Sequence, residues 1–211
     1  MIDSVAEALT RPGAFFARLQ EDERAAQWGV WLVLLVSVLG AVVAYFSALP
    51  TAEAFSGSPL GQIGLMAAPV AAFVFSFAAW LVYGLLVRMS AGINVKPWAV
   101  VAYSLAPQLI LLSLTLVVAA LFPVDIAPVA ADLGDPEQLQ RLSAQVQREV
   151  SASVYGRASL ALSYLGAFWS LALIFVGVRA GTDTGRAVLS TLLVATLSLG
   201  TLLVPYLLSS A

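Results

Sequence analysis

PWAVVAYSLAPQLILLSLTLVVAALFPV, residues 97–124, decides how the rest of the chain is read. The run carries no charged side chain and exceeds the roughly 20 apolar residues that cross a bilayer core. It also holds Pro107 and Gln108 in its interior. Proline has no N–H to donate, so the carbonyl of Tyr103 loses its helical partner and a kink is expected. A freed carbonyl cannot face lipid. The side of the helix bearing Tyr103, Ser104, Pro107 and Gln108 is therefore expected to point into a bundle, as a polar site at a broken helix or as ordinary interhelical hydrogen bonding.

The composition of the whole chain describes a membrane protein. Of 211 residues, 61% are hydrophobic and only 10% charged, against about 25% charged in a soluble domain. Ten basic and twelve acidic residues give a net charge of −2, which offers no footprint for nucleic acid. There is no cysteine and no histidine, so disulfides, thiolate chemistry and the commonest metal ligand and general base are excluded. No cofactor and no catalytic or metal-binding set is read from the sequence. The expected class is all-α, an integral helical bundle of five transmembrane helices.

Those spans fall at about 28–49, 63–87, 99–122, 158–178 and 187–208. Trp28 and Trp31 begin the first, and Tyr45 and Phe46 approach its other end, as interfacial aromatics do. Pro50 to Gln62 reads as a short loop, and Pro69 is expected to bend the early part of the second span. The connection 123–157 is the most soluble-looking part. Within it Asp135 can cap a helix beginning at Pro136, with Leu139, Leu142, Val146 and Val150 along one side. That helix either runs unbroken into the fourth span or breaks at Gly156. Asp132 and Asp135 also allow an extracytoplasmic cation site, although capping accounts for at least one of them.

Residues 1–27 form a charged arm. Ile2, Val5, Ala6 and Leu9 recur at helical spacing, and a second short helix is expected from Pro12. Phe15, Phe16 and Leu19 then make an apolar patch beside Arg18 and Arg24. The patch reads either as an interfacial docking surface, with Arg11, Pro12, Phe15, Phe16 and Arg18 meeting a partner, or as a lead-in packed on the bundle. The arm and the even-numbered links hold seven basic residues, namely Arg11, Arg18, Arg24, Arg88, Lys96, Arg179 and Arg186. The opposite side holds three, Arg141, Arg148 and Arg157. This bias places the N-terminus in the cytoplasm and the C-terminus outside. Arg88, Lys96, Arg179 and Arg186 could together hold an anionic lipid head group, or serve orientation alone. No ionisable side chain lies deep in any span, which disfavours ion-coupled transport.

Arg11, Pro12, Gly13, Phe15 and Phe16, then Trp98, Ala102, Tyr103, Ser104 and Pro107, then Tyr164, Leu165, Phe168, Trp169, Ser170 and Leu171 leading to Gly177, Arg186 and Ala187, resemble a bacterial member of the Yip1 family. The resemblance runs from the arm to the start of span five. It implies a five-helix integral protein without assigned catalytic residues. For eukaryotic members it implies vesicle trafficking and binding of Rab-type GTPases through a cytoplasmic N-terminal domain, which here is cut down to the 27-residue arm. The leading expectation is a non-enzymatic, membrane-organising scaffold or adaptor of the bacterial inner membrane, in contact with lipids and with a membrane or peripheral protein partner, and open to self-association. The alternative is a small transporter or channel using the kinked third span.

Overall fold

In a computed structural model, residues 2–55, 59–92, 94–127 and 136–209 are described. Among them every regular element is helical: α1 (Ile2–Thr10), α2 (Pro12–Leu19), α3 (Glu23–Ala54), α4 (Pro59–Ala91), α5 (Pro97–Ser104), α6 (Ala106–Leu121), α7 (Pro136–Ala152), α8 (Val154–Arg179) and α9 (Thr184–Ser209). Among the described residues four stretches are long and apolar enough to cross a membrane: Gln27–Ala54, Pro59–Ala91, Pro97–Leu121 and Val154–Arg179. The apolar segment of α9 with described side chains, Thr184–Ser198, is shorter.

Helix ends follow local chemistry. Asp22 accepts the Arg24 N–H at 2.9 Å at the start of α3, and Asp183 accepts the Arg186 N–H at 3.0 Å at the start of α9. Both are N-cap geometries that satisfy a donor the helix leaves free. The first two spans extend further than the sequence suggests. Pro50 lies within α3 and Pro69 within α4, so most of the expected 50–62 loop is helix. The Phe55 N–H still reaches the Thr51 carbonyl at 3.1 Å; a proline near a helix end forfeits one bond without stopping the winding.

The third span breaks where proline demands it. α5 stops at Ser104, the Leu105 N–H turns back to the Ala102 carbonyl at 3.1 Å, and the Gln108 N–H reaches Leu105 at 2.9 Å. Pro107 has no N–H for the Tyr103 carbonyl, and the Leu105 N–H also turns to that oxygen, so tighter bonds close the turn where the α-helical ladder is interrupted.

The chain divides into two compact units: Met1–Val36, Phe77–Gln108 and Leu165–Ala211; and Ser37–Ser76 with Leu109–Tyr164. In the second, α7 lays Val146 against Ala54 and Phe55, flanked by Leu139, Leu142 and Val150, the side read from their spacing. α7 and α8 are not one rod. The break comes at Ser153, whose Oγ accepts the Gly156 N–H at 3.0 Å and so caps α8. Gly156 is not the weak point. A Cβ there would collide with the Val150 carbonyl, so its role is close approach of the backbone on the turn. Asp132 and Asp135 lie outside the described residues, and the proposed cap and cation site with them.

Candidate functional site

The first unit contains the arm, both basic links and the start of the third span, and it is organised by the arm. Phe16 has no exposed surface, Phe15 is 5% exposed and Leu19 1%. The Phe15 ring meets Tyr103 edge to face, centroids 4.7 Å apart. Phe16 presses on Gly177, where an added Cβ would stand 3.0 Å from its ring. α1 packs on α2 and on α5, and Ser4 hydrogen bonds the Tyr103 hydroxyl. The expectation of Phe15 and Phe16 as an exposed docking surface is thus corrected: burial of these two large rings is what fastens α2 to the bundle. The predicted α1 stripe holds only in part, with Val5 and Leu9 half-buried. Ile2 and Ala6 are exposed, while Ala8 is the buried residue, because the packed side is shared with α2 and α5.

Sequence reading missed the polar clasp beside the rings. The Lys96 N–H donates to Gln20 Oε1 at 3.0 Å, and Gln20 Nε2 donates to the Gly177 carbonyl at 3.4 Å. One amide therefore joins the arm to the α4–α5 link and to the end of α8. Nothing in its sequence context separates Gln20 from a solvent-facing glutamine. Arg11 and Arg18 remain exposed and Pro12 half-buried, with Arg18 paired to Glu7.

Close packing continues around α5. Ala102 would sit 3.0 Å from a Cβ on Gly29, and the Trp98 ring occupies the place of one on Gly84. Trp80 Nε1 donates to the Trp98 carbonyl at 2.9 Å. Of the four residues read as a polar site, Tyr103, Ser104 and Pro107 are buried and Gln108 is half-buried. The Ser104 hydroxyl donates to Val101 at 2.6 Å, and Tyr103 is engaged by Ser4. The Tyr83 hydroxyl accepts from Ser198 at 2.8 Å. The polar groups thus turn to different partners. A further pair missed from sequence is Ser90 with Ser190, 2.6 Å apart between α4 and α9.

Among the basic link residues, Arg88, Arg179 and Arg186 are exposed and Lys96 is half-buried. Gly92 takes φ of 85° at the turn after α4, a conformation glycine adopts without the cost other residues bear. Arg186 Nη1 lies 3.5 Å from the position of its missing Cβ, so α9 meets this turn. Arg186 also pairs with Asp183 at 3.5 Å. The Arg186 backbone N–H holds the Asp183 carboxyl below its ordinary range against a smaller opposing effect of desolvation, and the Arg186 guanidinium charge adds less than either. Among the described residues no cluster of three or more metal-ligating side chains forms.

Over residues 6–207 the sequence matches the family model described as Yip1 domain. Comparison with curated proteins and with solved structures found no significant match.

Proposed function

The chain belongs to the Yip1 family of membrane proteins, and from that premise we propose that this integral, multi-pass protein is a non-enzymatic membrane organiser, a scaffold or adaptor. In this reading α9 is the fifth span, the arm is cytoplasmic, the C-terminus is extracytoplasmic and the host membrane is a bacterial inner membrane. The observation that carries it is the seating of the arm. Two short helices are fixed by buried rings and the Gln20 clasp, so the charged side chains left outside, Arg11 and Arg18 among them, are presented on a defined backbone rather than on a loose tail. A pre-ordered surface binds without the entropy cost of ordering it first. Arg88, Lys96, Arg179 and Arg186 lie at helix ends in the same unit and meet anionic lipid head groups in this reading.

Crosslinking and co-purification from native membranes test the proposal, comparing wild type with the Arg11→Glu, Arg18→Glu double variant. A protein partner lost in that variant while the bundle stays folded is the expected result. An identical set of captured proteins in both would overturn it. The alternative of a small transporter draws support from the break at Leu105 and is tested by Gln108→Leu: abolished uptake of a solute, with the arm intact, would favour it.

A further inference from the structure

In the second unit a cavity of about 470 Å³ opens between the end of α3, the start of α4 and α7. Its size lies within the range of small-ligand sites, about 300–1,000 Å³. Phe55, Leu60, Leu65 and Leu139 contribute apolar walls, and Gln140 and Ser143 bring polar groups from α7. The walls are fixed by a glycine contact: a Cβ on Gly61 would stand 2.7 Å from the Ala52 carbonyl and 2.8 Å from that of Phe55, so α4 begins hard against the end of α3. Gly64, less than a turn further on, also lines the cavity, yet nothing stands within 4 Å of where its Cβ would be. The first glycine permits contact and the second leaves room.

The cavity is continuous with surface that a membrane protein turns to hydrocarbon. Leu60, which lines it, is 47% exposed, and its neighbours on α4, Ile63 and Met66, are 61% and 76% exposed. We propose that this groove seats one acyl chain of a phospholipid, with the glycerol-ester end at Gln140 and Ser143. Lipid tails are as apolar as the groove wall, so burial from water does not drive this binding. Retention comes from dispersion contacts with walls held in place and from hydrogen bonding at the polar end, where the Gln140 amide is the donor. The inference does not rest on the scaffold reading; it needs only the membrane-embedded fold.

The test uses the full chain in phosphatidylethanolamine and phosphatidylglycerol nanodiscs doped with phosphatidylethanolamine bearing a mid-chain diazirine. After photolysis, labelled peptides are mapped by mass spectrometry. Labelling near Leu60–Leu65 and Leu139–Ser143 should exceed severalfold that at the lipid-facing Val70 and Val74, which are 64% and 58% exposed. Gly64→Leu fills the groove from α4, and Ser143→Trp fills it from the exposed α7 wall, so a folding defect in one does not spoil the other. Each should bring groove labelling down to the level at Val70 and Val74 and leave those positions unchanged. Uniform labelling along α4 in the wild type, or groove labelling that persists in both filled variants, would overturn the proposal.

Discussion

Gly177 in the unit holding the arm and Gly64 in the unit holding α7 have opposite surroundings. Around the arm, Gly29, Gly84 and Gly177 are each met by a neighbour, Ala102, the Trp98 ring and the Phe16 ring with Val100 respectively. In the unit holding α7, Gly61 is met by backbone carbonyls, but Gly64 faces open space. The lesson is that a glycine in an apolar helix either admits a neighbour or keeps a space, and the two ask for different experiments. At the first unit, filling should break packing; at Gly64 it should not.

The largest effect is therefore expected at Gly177. Gly177→Leu drives a side chain into both Val100 and Phe16 and should release the arm or prevent folding, seen as loss of a monodisperse protein in detergent or as rapid proteolysis before Glu23. Next comes Phe16→Ala, which removes a fully buried ring. Truncations of this kind cost about 3–5 kcal/mol, here borne by arm docking, so hydrogen exchange over residues 2–20 should accelerate while α4 and α8 keep their protection. Gln20→Leu removes one donor and one acceptor and leaves the Lys96 N–H and the Gly177 carbonyl to find other partners. A cost of about 1–3 kcal/mol is expected, read as a smaller rise in the same exchange. Gly64→Ala sharpens the contrast from the other side: it should be neutral or stabilise by up to about 1 kcal/mol, measured by thermal unfolding in detergent.

The smallest effect is a pH dependence. Asp183 has its pKa lowered in the folded protein by the Arg186 N–H. Its contribution is present above the unfolded carboxyl value, about 3.9, and is lost as pH falls through the lower folded value. Asp183→Asn keeps an N-cap acceptor and removes the charge, so it should flatten the acid limb of the unfolding curve while changing stability little at neutral pH.

These contrasts also mark how far the sequence is legible. The break at Pro107 and the apolar side of α7 follow from local rules, since each depends on residues within one or two turns. The arm helices were legible for the same reason, but their docking was not. An apolar face of Phe15, Phe16 and Leu19 has the same pattern whether it meets lipid, a partner or its own bundle, and only the tertiary positions of Tyr103 and Gly177 decide. Gln20 was missed because its partners are backbone groups far along the chain, at Lys96 and Gly177. Propensity allows either a continuous rod or a break at Gly156 after α7, whereas the Ser153 cap takes the break and Gly156 answers to a steric contact. The groove at Gly64 left no trace in the periodicity of α4, because a cavity is made by what is missing from two helices at once.

The arm is a seated part of the bundle, and the absence of native cysteine makes that seating directly measurable. Three alanines of the arm differ in placement: Ala8 is buried, whereas Ala6 and Ala17 are exposed. Ala→Cys variants at these positions, probed in native membranes with a membrane-impermeant maleimide after opening the vesicles, should label rapidly at 6 and 17 and be protected at 8, with protection lost on denaturation. Equal labelling at all three positions in the folded protein would contradict the seated arm and, with it, the fixed surface on which the proposed function stands.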